Sequence, residues 1–186
     1  MSDIRKIEPN VWAFLESGAE RYGRIHAERF SQRMHTQMIE RGIESPIEDM
    51  FFIALNLQCA ARFMDVNPDP DEYDGNTPVF PTGMFLTPQV KVAGYRVDFL
   101  LQKTWEPTPR VVIELDGHAF HDKDKKQRSY EKARDRALVK AGYQVLHYTG
   151  SDVVADPYRV AFEALEVLGW VVDGQTYDPA NPLGVD

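Results

Sequence analysis

The sequence predicts an α/β domain, a central mixed β-sheet flanked by helices, with an N-terminal helical extension. Three observations carry this expectation. Residues 110–116, R-V-V-I-E-L-D, hold a β-branched run of the kind found in strands covered on both faces. A second strand-like run, Tyr143 to Tyr148, comes after one helical stretch, which is the pattern of a parallel strand–helix–strand crossover. Ahead of both, Met84 to Gln102 reads as a hairpin turning at Ala93-Gly94. A hairpin beside a crossover makes the sheet mixed.

In chain order, residues 9–41 read as helix, either two helices or one bent near Gly18 and Gly23. Val11, Leu15, Tyr22 and Ile25 form an apolar stripe that Phe30, Met34 and Met38 continue. Seven acidic and seven basic residues up to Glu44 give this extension no charge preference, so packing or a partner contact is its expected role. Ser45-Pro46-Ile47-Glu48 starts the next helix, with Ser45 as N-cap, Pro46 at the first helical position and Glu48 completing a capping box. Ile47, Met50, Phe51, Ala54, Leu57 and Ala61 would face the core.

Asp65 to Gly75 is rich in acids and prolines and reads as an exposed loop; its spacing does not meet the EF-hand pattern, so calcium is not expected. Thr104 to Pro109 is a second loop. Residues 125–141 are helical, with Tyr130, Ala133, Ala137, Leu138 and Ala141 on one side and Gly142 as the stop. Ser151 or Asp152 would cap the segment after the Tyr143 to Tyr148 strand, and Pro157 starts a last helix to Leu168. The expected division is an extension over 1–44, the α/β domain over 45–170 and a loosely ordered tail over 171–186.

The 186 residues are 43% hydrophobic and 27% charged, an ordinary globular composition. No apolar run reaches the roughly 20 residues of a membrane span, and Met1 to Lys6 leads into no signal-peptide core, so the cytoplasm is expected. Cys59, the one cysteine, excludes internal disulfides and thiolate zinc sites and is expected to be buried in a helix. The net charge of −8 argues against binding nucleic acid by bulk electrostatics. Yet Asp122 to Lys140 holds eight basic and four acidic residues, a local +4 against −12 elsewhere. That suits a phosphate-bearing substrate, although a solvated helix face explains it as well.

Chemistry concentrates in three acids. Side chains alternate along a strand, so Glu114 and Asp116 point to one face, that of Val112. Asp98 interrupts the apolar run Tyr95 to Leu101 on the neighbouring strand, where an aspartate is unfavourable. Carboxylates gathered at the end of a core strand need positive charge between them. A shared divalent metal provides it, and oxygen ligands select Mg²⁺ or Mn²⁺. The plain alternative is a structural ion pair with Arg96 or Arg110.

At these residues the sequence resembles the PD-(D/E)XK nuclease superfamily, and within it the very-short-patch repair endonuclease-like branch. The pieces are S-P-I-E at Ser45 to Glu48, Y-R-V-D-F at Tyr95 to Phe99, V-I-E-L-D-G at Val112 to Gly117, A-R-D-R-A-L at Ala133 to Leu138 and G-Y-Q-V-L at Gly142 to Leu146. The resemblance covers roughly Ser45 to Ala164 and implies a restriction-endonuclease-like fold. It also implies a metal-dependent endonuclease that hydrolyses DNA phosphodiesters by a metal-activated water, in a repair, restriction or defence setting. Asp98 resembles the central metal-binding aspartate, Glu114 the acid of the E-x-K element, and the Leu115 carbonyl a further metal contact. Asp116 stands where the superfamily usually has lysine. In the repair branch, which lacks that lysine, a G-x-x-x-H element is matched by Gly117 to His121, making His121 the general base. Glu48 resembles the first-helix acid that orients water, while capping alone also explains it.

His118, Lys123, Lys125, Lys126 and Arg128 are expected phosphate contacts, with no single cation chosen. As a zinc pair, His118 and His121 form a weak signal. His147, in a core strand, is expected to be a satisfied histidine. DNA is the expected partner, no membrane is expected, and a homodimer is compatible with the sequence. The competing expectation is a catalytically weak or inactive nuclease-fold module that binds nucleic acid or a protein partner.

Overall fold

The computed structural model describes residues 9–62, 66–67, 83–104, 109–117, 125–170 and 175–184. It divides into two compact units, Met1–Glu40 and Arg41–Asp186. In the first, α1 (Pro9–Glu40) is one helix running through Gly18 and Gly23. A lone glycine costs about 1 kcal/mol against alanine but keeps its backbone hydrogen bonds, so neither position ends the helix. Among the described residues no helix is long and apolar enough to cross a membrane.

The second unit is built on a mixed five-stranded sheet in the order β1-β2-β3-β4-β5. It comprises β1 (Val66–Asn67), β2 (Met84–Val92), β3 (Tyr95–Lys103), β4 (Arg110–Asp116) and β5 (Tyr143–Thr149). Strands β2, β3 and β4 form an antiparallel meander, whereas β1 runs parallel to β2 and β5 parallel to β4. The hairpin turns at Ala93 and Gly94, both at positive φ (48° and 85°), as a primed two-residue turn requires. Pro88 is tolerated within β2 because β1 pairs only with Met84 and Phe85, so the outer side of Pro88 carries no ladder bond. The two residues of β1 fall in the stretch expected to be loop; parallel pairing with Met84 and Phe85 overrides its turn-rich composition.

Helices cover both faces. On one, Phe51 of α2 (Pro46–Ala61) packs its ring 5.0 Å from that of Phe99. On the other, Leu138 of α3 (Lys125–Lys140) joins Leu100, Val112 and Val92 in a buried cluster. The interior of β4, Val111 to Leu115, is buried throughout. The burial of α2 departs from the expected stripe. Phe51, Phe52, Leu55, Gln58 and Cys59 are buried, while Ile47, Met50, Leu57 and Ala61 are only half-buried. The cause is a second neighbour: α2 also packs against α4 (Gly150–Ala155) and α5 (Pro157–Val167), so it is enclosed on two sides. Gln58 goes inside because its amide donates to the carbonyls of Tyr158 (3.1 Å) and Pro182 (2.8 Å). Burial pushes the Cys59 thiol up to about 12, so it stays an inert thiol against Met84.

Caps and stops agree with the sequence except at the start of α4 and in one bond at the start of α2. Gly142, at φ 86°, ends α3 as expected. The cap of α4 is Thr149 rather than Ser151 or Asp152. Asp152 is the third helical residue, and its carboxylate accepts the Thr149 N–H at 2.9 Å in a reciprocal capping box. Tyr130, expected to face inward, is 59% exposed and sets its ring edge-on to Tyr95. His147 is exposed rather than enclosed, with Nε2 3.3 Å from Asp135 Oδ1, because β5 is an edge strand.

Residues 175–184 return to α5. Asp156, the cap of α5, accepts hydrogen bonds from the Arg159 N–H (3.0 Å) and from the Tyr177 hydroxyl (2.7 Å). Replacing Asp156 by Ala removes both and is expected to cost about 2 kcal/mol in urea unfolding, whereas Tyr177→Phe removes one and costs about 1 kcal/mol. Equal costs for the two variants would show that the cap contributes nothing.

Candidate functional site

The acids meet where β4 leaves the core. Past the Phe99–Ile113 pair the β3–β4 ladder stops, and the Asp98 carboxylate takes over, accepting the Leu115 N–H at 2.7 Å. A side chain thus replaces a strand as acceptor, fixing Asp98 against the backbone between Glu114 and Asp116. Alternation places Glu114 and Asp116 on the face of Val112, under α3. Glu114 is almost wholly buried. Arg134 reaches it from α3, with Nη1 2.9 Å from Glu114 Oε2.

Arg134 meets only one of the two Glu114 oxygens. Glu114 Oε1 is buried with no hydrogen-bond partner among the described residues. Burial pushes the Glu114 carboxyl up to about 8, against the pull of Arg134 and with repulsion from Asp98, Asp116 and Asp135 adding to the rise. Asp98 is also raised, by burial first; the Leu115 N–H and Arg134 oppose the rise, and Glu48 and Asp116 reinforce it. Glu114, Asp98 and Asp116 therefore repel one another, and among the described residues Arg134 opposes that repulsion at Glu114 and Asp98.

The expected structural partners of these acids are elsewhere. Arg96 pairs with Glu44, and Arg110 lies over the Tyr143 ring with a hydrogen bond to the Ala141 carbonyl. Arg134 holds the position instead. The sequence carries it inside A-R-D-R-A-L with nothing to mark it as a site residue beyond its position four residues before Leu138, which gives it the same inward face.

Glu48 approaches from the start of α2. A Cβ on Gly117 would touch Ile47 Cδ1 at 3.7 Å, which places this helix start at the end of β4. Ser45 caps as expected, its hydroxyl oxygen accepting the Glu48 N–H, but the reciprocal half of the expected capping box shifts by one residue. The Glu48 carboxylate accepts from the Glu44 N–H at 3.2 Å rather than from Ser45, and also from the Ser45 hydroxyl at 2.8 Å and Gln89 Nε2 at 2.7 Å. Glu48 is thus buried and fully engaged.

Gln89 is a site residue that the sequence pattern does not reveal. It stands between Pro88 and Val90, whose partners Phe99 and Val97 flank Asp98, so Gln89 lies opposite Asp98. Its φ of 52° is a left-handed conformation that non-glycine residues rarely adopt. The conformation is held where its amide reaches Glu48. No periodicity or propensity signals such a residue.

Of the remaining expected site residues, His118, His121 and Lys123 lie outside the described residues, as do the side chains of Lys125, Lys126 and Arg128. Among the described residues no three Asp, Glu, His or Cys side chains form a group that could hold a metal ion. Magnesium does not need three: it keeps several waters and binds through one or two carboxylates. The unpartnered Glu114 oxygen beside Asp98 fits that demand, and carboxylate donors suit Mg²⁺ or Mn²⁺.

Residues 79–168, just under half of the chain, match the family model REase_MTES_1575, a restriction-endonuclease-like family. The matched span runs from the start of β2 through α5, with the whole β2–β5 sheet inside it. The fold is restriction-endonuclease-like. No curated protein and no solved structure gives a significant match. The restriction-endonuclease-like match points to nuclease chemistry, and its span contains Asp98, Glu114, Asp116 and Arg134 but not Glu48.

Two outcomes are expected of this arrangement. Gln89→Gly should be more stable than Gln89→Ala by about 1 kcal/mol in urea unfolding, because both lose the Glu48 bond while only glycine accepts positive φ freely; equal stabilities would mean that the backbone relaxes. The second concerns Glu114, whose folded value of about 8 lies above its ordinary 4.5. Its contribution to stability is full below about pH 4.5 and is lost as pH rises through about 8. The melting temperature of the metal-free wild type should therefore fall more steeply from pH 5 to 9 than that of Glu114→Gln, and equal slopes would remove Glu114 as the cause.

Proposed function

We propose that this protein is a metal-dependent endonuclease that hydrolyses DNA phosphodiester bonds, acting in repair, restriction or defence. The observation that carries the reading is the buried, unpartnered Glu114 Oε1 beside Asp98, within a restriction-endonuclease-like fold. Asp98 and Glu114 would hold Mg²⁺ or Mn²⁺, with the Leu115 carbonyl and Asp116 contributing. When bound, the metal offsets charge developing on the phosphate and acidifies a coordinated water.

The chain's own groups do the rest. The Leu115 N–H keeps Asp98 aimed along the end of β4. Arg134 holds one Glu114 oxygen and leaves the other open. Glu48, with three donors on it, is held in place at the start of α2 and would assist by orienting water. His121 takes or gives the proton, as in the repair-endonuclease-like branch, with His118, Lys123, Lys125, Lys126 and Arg128 as phosphate contacts. Asp116 in place of a lysine leaves Arg134 as the cation nearest the carboxylates among the described residues.

A second reading has an observation of its own. Glu114 is already paired with Arg134, and no three-ligand group stands among the described residues, as in a nuclease fold kept for binding nucleic acid or a protein. Incubating supercoiled plasmid with the protein and Mg²⁺ or Mn²⁺ separates the two. Nicking by wild type, reduced at least 100-fold in Asp98→Ala and absent in EDTA, is the expected result; no nicking by wild type, or nicking that survives Asp98→Ala, selects the binding module.

A further inference from the structure

Among the described side chains, the second unit commits most of its cations to its own fold. Arg41 donates to the Leu86 carbonyl and Arg62 to Gln58, while Arg96 pairs with Glu44. Lys103 lies over the Trp170 ring, Arg110 over the Tyr143 ring, and Arg159 pairs with Glu163. Against this, Lys132, Arg136 and Lys140 are exposed and have no ion pair among the described residues. They recur every four residues along α3, so they form one stripe about 12 Å long.

The stripe is opposite in direction to the helix's internal work. Arg134 and Leu138 point at the sheet, toward Glu114 and the core. The acids of α3, Glu131 and Asp135, are half-buried, and Asp135 turns to Arg134 and His147. Among the described side chains of α3, every cation except Arg134 is thus outward, while both acids are half-buried. A merely solvated helix shows no such sorting: α1 exposes Glu20, Arg21, Arg24, Glu28 and Arg29 side by side.

A chain of net charge −8 with a carboxylate site repels a polyanion, so any such ligand needs a separate cationic dock. We infer that the Lys132–Arg136–Lys140 stripe is that dock, contacting the phosphate backbone of a nucleic acid along the outer face of α3. It carries no base recognition: lysine and arginine on an exposed helix face meet phosphates and position the duplex without reading its sequence. The dock rests on the nuclease reading for its purpose, but its test is independent of cleavage.

Fluorescence anisotropy of a labelled duplex, with full-length protein in EDTA, tracks binding alone. The Lys132→Ser/Arg136→Ser/Lys140→Ser variant is expected to bind at least tenfold more weakly at low salt. Its log Kd against log salt slope should fall by about 2.7, at roughly 0.9 for each lost phosphate contact. Lys91→Ser, another exposed cation off the stripe, should change the slope by about one or less. Wild-type affinity and slope in the triple variant, with its melting temperature unchanged, would overturn the inference. So would displacement of the duplex by polyglutamate as effective as by unlabelled DNA of equal charge, which would make an acidic protein the ligand. A wild type that binds through the stripe yet never nicks plasmid leaves the dock standing and removes the nuclease reading, and nicking with an unchanged triple variant does the reverse.

Discussion

The arrangement rests on a carboxylate held where a carboxylate is expensive. Glu114 lies on a strand buried on both faces, and moving an ionised carboxylate out of water costs several kcal/mol unless charge returns to it. Arg134 returns part of it, and that contact ties α3 to β4. A hydrophobic pair at these positions would make a more stable domain. Keeping an ion pair with one unsatisfied oxygen is a stability cost that packing does not offset, and such costs gather at functional sites.

Around it the three acids divide by how they are held. Glu48 is bonded on both oxygens, with donors from a backbone N–H, a hydroxyl and an amide on one carboxylate. Asp98 has one short backbone donor on Oδ2. Glu114 is paired on one oxygen and bare on the other. A carboxylate bonded on both oxygens moves only by losing hydrogen bonds of about 1 kcal/mol each, whereas a bare buried oxygen gains by acquiring one. Of the three acids, Glu114 and Asp98 thus keep more acceptor capacity open among the described residues than Glu48 does.

Much of the sheet was legible because its signals are local. The β-branched run of β4, the Ala93-Gly94 turn, Ser45-Pro46 and Gly142 each act within a few residues, and each landed where expected. What the sequence concealed depends on contacts between distant elements. The inward face of α2 turned because α4 and α5 close on it from a second side. His147 came out exposed because β5 is an edge strand, and edge position is a property of the whole sheet. For the site, alternation along β4 placed Glu114 and Asp116 on one face, but nothing in the chain pattern names Arg134 as their cation or Gln89 as the donor to Glu48. The pairs 114–134 and 48–89 are set by topology alone.

Gln89 shows how the two elements of the site are tied. Its left-handed backbone costs about 1 kcal/mol, and the residue lies in a hairpin strand where an extended conformation is the default. In an extended β2 the side chain at this position would project along the alternation of the strand. At φ 52° it reaches the start of α2 instead, and the amide closes on Glu48. One strained residue thus joins the hairpin strand opposite Asp98 to the helix that carries Glu48, so the two acids cannot move apart without breaking it. The cross-tie thus fixes Glu48 from both sides, while Glu114 keeps its open oxygen beneath α3.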